Sequence, residues 1–390
     1  MPFFRGLLLS MKKLFSSADA ERREKEKDYY LNNGSCVLEE LLALCDGNCR
    51  IPIRYYTANE IENAIKHSKT TIMELDEVDM VTGSLDNRPV LVRFNTCKHN
   101  NIHRDIAITA QMSHLKNVLR LVGCCLEFEQ PVMVYEYVEG TSLFHLLFKK
   151  DNLNRKSLCW GNRLRVAREV ASAILFLHTE FTTPIIHRSI KPSNVILDEK
   201  SGIAKILNFS LSISLPPGEL EVLDDGVSGT RGYIAPEYYQ LGIITQKTDV
   251  YSFGVLLFQL LTRKGPYDRV ESTHSKETID FEENTKSNTE EGNSMDRVDS
   301  TNSKEAIDFK NLPTSYFVDR YIKESNVMDI TDPTILEEHG IEIQQQLEDY
   351  LVLVKKCTAD EGDDRPYMIH VARELSRIEK CFHALTLGQN

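Results

Sequence analysis

The hydrophobic period of this chain changes near residue 140, and that change limits the fold more than any other feature. Across residues 71–94, Met73, Leu75, Val78, Met80, Val90, Val92 and Phe94 roughly alternate with polar residues, and Leu85-Asp86-Asn87-Arg88-Pro89 interrupts them with turn-forming residues. That pattern predicts a β-hairpin. Residues 104–113 have helical spacing, and residues 118–126 and 131–138 are strand-like again. Beyond the change, Leu164, Ala167, Val170, Ala171, Ile174 and Leu177 form a helical apolar stripe. Residues 250–261 are apolar on nearly all sides and predict a buried helix; residues 345–357 and 366–382 predict two more. A small sheet-rich lobe followed by a larger helical lobe is an α+β arrangement. A length of 390 residues suits two lobes with appendages.

Composition removes several function classes. With 46 basic and 58 acidic residues the formal charge is −12, which disfavours sequence-independent nucleic-acid binding, so no nucleic-acid partner is expected. No apolar run approaches the roughly 18 residues of a membrane span. Phe3, Phe4 and Leu7 to Leu9 are interrupted by Arg5 and lack a small-residue cleavage site, so they make a poor signal peptide. Pro2 excludes the glycine that N-myristoylation requires, and Met11 is an alternative start to Met1. The nine cysteines are scattered; Cys45 and Cys49 have metal-like spacing but no second ligand pair. Reduced thiols in a cytosolic protein, with no metal, are the expectation.

The expected organisation is a flexible extension over residues 1–32 and a helical extension over 33–70 that packs on or near the small lobe. The small lobe and its connector follow over 71–138, then the large lobe over 139–382. In the extension, Val37, Leu38, Leu41, Leu42 and Leu44 have amphipathic spacing, and Asp46-Gly47 ends the helix. They offer an apolar strip either to the chain's own small lobe or to a partner; both readings stand at this point. Residues 268–310 carry twelve acids and six bases, about half the net charge. They also contain a repeat: the string from Asp268 to Phe281 recurs, with substitutions, from Asp296 to Phe309. Two polar copies are too few for a solenoid, so this reads as a duplicated, disordered surface insertion.

Five strings in the helical half follow in order: His187-Arg188-Ser189-Ile190-Lys191-Pro192-Ser193-Asn194; Asn208-Phe209-Ser210; Gly229-Thr230-Arg231-Gly232-Tyr233-Ile234-Ala235-Pro236-Glu237; Asp249-Val250-Tyr251-Ser252-Phe253-Gly254; and Asp364-Arg365-Pro366. Their order and spacing resemble the protein-kinase signature set over roughly residues 70–380. The resemblance implies the bilobal protein-kinase fold, with Tyr135, Glu136, Tyr137 and Val138 as gatekeeper and hinge. It makes Glu237 and Arg365 a buried ion pair, and Asp249 the acceptor of backbone N–H groups from the catalytic loop.

The same resemblance exposes losses of chemistry. Phosphoryl transfer needs a phosphate cradle, a lysine–glutamate clamp, a metal site and an acceptor base. The cradle position, residues 73–81, has no glycine and carries Glu74, Asp76, Glu77 and Asp79 where phosphates would sit. Arg93 replaces the clamp lysine, with Lys98 nearby, and Asp105 replaces its partner; the two are expected to pair structurally. Ser189 replaces the base, and a serine takes no proton at neutral pH unaided. Asn194 and Asn208 offer two neutral amides where magnesium prefers a carboxylate. Lys191 remains. The expected protein is a pseudokinase with no catalytic residue in working form and no required cofactor. A weak, magnesium-independent ATP or ADP site at Arg93, the hinge residues, Asn194 and Asn208 stays open.

Residues 33–65, Ile190-Lys191-Pro192-Ser193-Asn194 and Gly123-Cys124-Cys125-Leu126-Glu127 are similar to the plant ZRK group of receptor-like cytoplasmic kinases, subfamily XII. That resemblance implies an immune adaptor that pre-associates with a coiled-coil nucleotide-binding leucine-rich-repeat (NLR) receptor of the HopZ-activated-resistance type. It implies sensing of bacterial effectors such as acetyltransferases, directly or by capturing a modified decoy kinase, in the cytoplasm or at the inner face of the plasma membrane through partners. The activation segment, residues 210–230, contains Pro216-Pro217-Gly218 and four acids, and is expected to be mobile until a partner orders it. Ser212, Ser214, Ser228 and Thr230 are its candidate modification sites. An active or weakly active Ser/Thr kinase and a scaffold regulating another kinase are the alternative readings.

Overall fold

The computed structural model describes residues 19–45, 53–66, 73–75, 78–95, 101–148, 158–224, 226–265, 318 and 326–387. The duplicated segment 268–310, the expected turn at Asp46-Gly47, and Asp76 and Glu77 of the cradle lie outside these residues. So do residues 1–18 of the N-terminal extension.

From residue 19 that extension is a helix, α1 (Asp19–Cys45). The expected boundary at residue 32 therefore falls inside one continuous element. Its charged first half is supported by pairs one turn apart, Glu21–Lys25 at 2.8 Å and Arg22–Glu26 at 2.6 Å. Arg22 also reaches Glu62 at 2.5 Å. Further along, Asn33 donates to the carbonyls of Leu126 and Phe128, each at 2.9 Å. The apolar strip divides. Val37, Leu41 and Leu44 are buried with Ile102 and Ile106 in the main core. Leu38 and Leu42, 56% and 51% exposed, face solvent. Five apolar residues spread over two faces, and only the face toward the small lobe is covered. Of the two readings left open, packing on the chain's own small lobe holds for Val37 and Leu41, which are corrected as partner candidates. Leu31, seven residues before Leu38, joins the exposed face.

The small-lobe sheet is antiparallel in the order β1-β2-β3-β5-β4, with β1 (Met73–Leu75), β2 (Val78–Leu85), β3 (Arg88–Phe94), β4 (Leu121–Cys125) and β5 (Val132–Glu136). Leu85 pairs with Arg88, so the hairpin turns on Asp86 and Asn87 alone, at φ 50° and 61°. Asp and Asn tolerate that left-handed region, which two-residue hairpins demand. Both faces of β3 are covered. Leu91 joins the main core beside α3 (Ile102–Met112). Val90 and Val92 join a second cluster with Ile61 and Ala64 of α2 (Ala58–Ile65). The segment before α2 lies along β4: Cys124 donates to the carbonyl of Arg54 at 2.9 Å, and Tyr56 donates to that of Cys124 at 2.8 Å. Gly123 is required there, because a Cβ would stand 2.4 Å from the Arg54 oxygen.

In the large lobe, β6 (Gly140–Ser142) leads to α4 (Leu143–Phe148) and α5 (Trp160–Thr179). Short strands carry the functional loops: β7 (Ile185–Ile186), β8 (Val195–Asp198), β9 (Ala204–Ile206), β10 (Ile213–Ser214) and β11 (Glu221–Leu223). After α6 (Pro236–Leu241) and β12 (Ile243–Thr245) comes α7 (Gln246–Thr262), buried from Lys247 to Thr262. The expected all-round apolar helix is this axis, and its Thr245 N-cap and Thr248 form a reciprocal capping box. Helices α8 (Val327–Ile330), α9 (Pro333–His339), α10 (Gln344–Cys357) and α11 (Met368–Leu387) complete the lobe. Trp160 of α5 meets Tyr350 of α10 edge to face at 5.0 Å, and the Tyr350 hydroxyl donates to the Leu257 carbonyl at 3.3 Å.

Arg163 pins the chain on both sides of the duplicated segment. It donates to the Leu260 carbonyl at 2.8 Å and pairs with buried Asp332 at 2.5 Å, while the Asp332 amide donates to the Leu261 carbonyl at 2.9 Å. Two predictions follow from this staple. Asp332→Ala strands a buried guanidinium and destabilises the protein by about 3–5 kcal/mol, measurable by urea denaturation. Because Arg163 and Asp332 hold the flanking chain, replacing residues 268–310 by a short Gly-Ser linker is expected to shift the melting temperature by less than about 3 °C.

Candidate functional site: a degenerate catalytic cleft

Strand β7 delivers His187-Arg188-Ser189 to the cleft, and Asp249 in the first turn of α7 fixes that loop. Its carboxylate accepts the backbone N–H of His187 at 2.8 Å and of Arg188 at 2.9 Å, and lies 2.9 Å from Nε2 of His178. Burial alone would raise the Asp249 pKa; the hydrogen bond and charge of His178 outweigh it and hold the carboxyl below its usual range. Burial pushes the His187 imidazole down. Below the activation segment, Arg365 grips Glu237 with two parallel bonds of 2.8 Å and donates to the carbonyls of Ala359, Asp360 and Lys247.

The cleft itself is spanned by a continuous hydrogen-bond chain. Arg93 from β3 pairs with Asp105 of α3 at 2.6 Å, and both side chains have no exposed surface. The same guanidinium donates to Oδ1 of Asn208 at 3.0 Å and to the Tyr135 hydroxyl at 3.3 Å. Burial works against the Arg93 charge, but Asp105 and Tyr135 more than reverse this, so its pKa is raised. Asn208, at φ 69°, also accepts from the Ser210 hydroxyl at 2.8 Å and donates to Asn194 at 3.3 Å. Asn194 in turn donates to the Ser189 carbonyl at 2.8 Å and hydroxyl at 2.9 Å. Asp105 uses its remaining oxygen for the Thr109 hydroxyl at 3.0 Å and the Phe209 amide at 3.1 Å.

These residues do not fit magnesium. The Asn208 oxygen that a cation would need already serves a guanidinium and a hydroxyl, and both candidate ligands are neutral amides. The Ser189 hydroxyl accepts a hydrogen bond and has no carboxylate character for proton abstraction. Lys191 is engaged too, donating to the Thr230 hydroxyl at 2.8 Å. At the hinge, Glu136 accepts from Lys205 at 2.8 Å and faces Arg120 at 3.3 Å; Tyr137 is exposed and Val138 buried.

The four candidate modification sites sit differently from one another. Ser212 is buried, its hydroxyl directed at the His187 carbonyl at 3.5 Å, so it is corrected from an accessible acceptor to a packing residue. Ser214 pairs with Ile185 on β10–β7, and Thr230 is the partner of Lys191. The Ser228 amide donates to the Tyr238 hydroxyl at 2.7 Å. The segment is held elsewhere as well: β11 pairs with β12, and Arg188, at φ 64°, meets Asp224 at 2.8 Å and contacts the Tyr238 hydroxyl. The mobile segment expected from its glycine and prolines is thus tied down by pairings distant in sequence. Arg188–Asp224–Tyr238 was not foreseen; Asp224 is one acid among several in a polar stretch, and nothing local distinguishes it.

Two measurements check this electrostatic reading. Asp105→Ala leaves the Arg93 charge buried and unpaired, and lowers stability by about 3–5 kcal/mol in denaturant titration. The pH dependence has two stages. His187, with its folded pKa depressed, favours the unfolded chain as pH falls below the free-imidazole value of about 6.5. The Asp249 contribution is present above about pH 3.9 and is lost as pH falls further toward its depressed folded value. Melting temperature therefore declines from pH 6.5 to 5, and His187→Asn flattens that slope.

Comparison with known proteins agrees with this geometry. The protein kinase domain model matches residues 91–368. The serine/threonine-protein kinase ZRK4 of Arabidopsis thaliana is 34% identical over 378 residues, covering 93% of this chain and 95% of the relative. The Arabidopsis non-functional pseudokinase ZRK2 is 32% identical over 392 residues, covering 97% and 99%. The Arabidopsis non-functional pseudokinase ZED1 is 36% identical over 251 residues, covering 62% and 73%. Relatives named as kinases and as pseudokinases stand side by side, so the names leave this chain's own activity undecided. Among the described residues, no helix is long and apolar enough to cross a membrane. The bilobal α+β fold, the intact Glu237–Arg365 and Asp249 anchors, and these matches place the chain in the protein kinase domain family, in its ZRK group.

Proposed function

We infer that this protein is a pseudokinase that works as an adaptor in plant innate immunity, associating with a coiled-coil NLR receptor so that bacterial effectors are recognised. The observation that carries the catalytic half is the bridge of Arg93 from Asp105 to Asn208, which uses the metal position for a protein cation. A substrate hydroxyl would find no base at Ser189, and a magnesium-bound triphosphate would meet a guanidinium already committed to Asp105, Asn208 and the Tyr135 hydroxyl. No cofactor is needed for such a role; weak nucleotide binding at the hinge, without magnesium, is compatible with it. The adaptor half is supported by the resemblance to the ZRK group and by relatives named non-functional pseudokinases. The exposed face of α1, with Leu31, Leu38 and Leu42, supplies an apolar strip suited to a receptor's repeats. Decoy kinases altered by effectors such as acetyltransferases are the second class of partner, met in the cytoplasm or at the inner face of the plasma membrane.

The alternative, an active Ser/Thr kinase, is favoured only by the names of some relatives. A magnesium-dependent autophosphorylation assay on purified protein separates the two: the expected result is no incorporation above an Arg93→Ala control, and turnover at ordinary kinase rates would overturn the pseudokinase reading. For the adaptor, transient co-expression with an NLR receptor and a panel of effectors is expected to give cell death and a co-precipitating complex. Leu38→Asp with Leu42→Asp is expected to reduce that complex at least tenfold.

A further inference from the structure

Helix α1 reaches the start of the activation segment through a single relay of side chains. The Glu40 carboxylate of α1 accepts from the Asn101 amide at 2.8 Å and from Nε of Arg104 at 2.8 Å. Arg104 spends its other arm on the Ser212 carbonyl, at 3.1 Å. Asn101 caps α3 by accepting from the Arg104 amide at 3.0 Å, and its own backbone N–H donates to the Ser210 carbonyl at 3.1 Å. The two residues that take the carboxylate of α1 are therefore the two that hold Ser210 and Ser212. One residue on, Asp105 takes the Phe209 amide. The Arg104 and Glu40 side chains are 25% and 15% exposed, so water screens the pair only partly. A planar guanidinium can serve both partners at once; an ammonium on a thin stem cannot hold that fork.

We propose that α1 is a latch on α3 whose position is read out at residues 209–212. With Glu40 seated on Arg104 and Asn101, the start of the activation segment is held against α3. When α1 is displaced, Arg104 loses its counter-charge and orientation, the Ser212 carbonyl is released, and the segment opens from its first residues. The device needs no nucleotide, metal or phosphate, and it holds whichever partner binds the outer face of α1. Glu40 acts through Arg104 and is a positioning residue.

Hydrogen exchange with mass spectrometry on the full chain tests the latch. In Glu40→Gln, amide exchange over residues 209–212 is expected to rise about tenfold or more, the consequence of weakening one charge-assisted hydrogen bond, while α7 stays protected. Arg104→Lys keeps the charge and breaks the fork, and is expected to give the same local rise. Glu39→Gln changes the exposed neighbour of Glu40 and is expected to change nothing. Increased exchange confined to α1 and α3, with residues 209–212 unaltered in both Glu40→Gln and Arg104→Lys, overturns the proposal. A uniform rise across both lobes also overturns it, because Glu40 would then be only a stability residue.

Discussion

A buried charge must be paired, and the Arg93–Asp105 pair makes the small lobe, α3 and the cleft conform to one another. Neither side chain touches water, so strand β3 and helix α3 must bring them to 2.6 Å or bear the cost of an uncompensated charge. Once that distance is met, the remaining geometry has little freedom. The second arm of Arg93 finds Asn208, the second oxygen of Asp105 finds Thr109 and the Phe209 amide, and Asn208 links onward to Asn194 and Ser189. In a working enzyme of this fold, metal and nucleotide would complete such an arrangement. Here the Arg93 side chain itself joins Asp105 to Asn208.

That division explains why scaffold and chemistry part company along the sequence. Glu237, Arg365 and Asp249 each satisfy buried backbone or ionic groups that the large lobe cannot leave open. Their roles are energetic and independent of catalysis. Ser189 and Asn208 occupy positions where a carboxylate would serve only the reaction, and their neutral side chains fit the hydrogen-bond chain already present. Most polar groups of the cleft are turned toward each other, though Nε of Arg93 and Nε2 of His187 are buried with no hydrogen-bond partner.

Much of this was legible in residue order. The strand and helix periods located both lobes, and the signature strings located the ion pair, the loop anchor and the altered cleft, because each lies within a few residues of an unmistakable neighbour. What escaped depends on contacts between distant segments. Charged residues from Asp19 onward carry no mark that distinguishes a tethered helix from a solvated one; Arg22–Glu62 and Asn33 with the Leu126 carbonyl decide it. Apolar spacing alone could not say which of Val37, Leu38, Leu41 and Leu42 is covered, because that depends on where α3 lies. The same holds for the activation segment, whose proline and glycine suggest mobility while Arg188 and β12 hold it.

The strip of chain at residues 54–56 laid along β4 has a consequence for the sheet as a whole. An uncovered outermost strand presents a row of free amides and carbonyls that any other extended polypeptide can join. By accepting from and donating to Cys124, residues Arg54 and Tyr56 sheathe that border on the side where the order β1-β2-β3-β5-β4 ends. A shortened chain beginning at the signature-bearing core would leave β4 unsheathed, with Gly123 as a bare, side-chain-free step in the middle of it, and such a fragment would be prone to strand-by-strand self-association even with its interior intact.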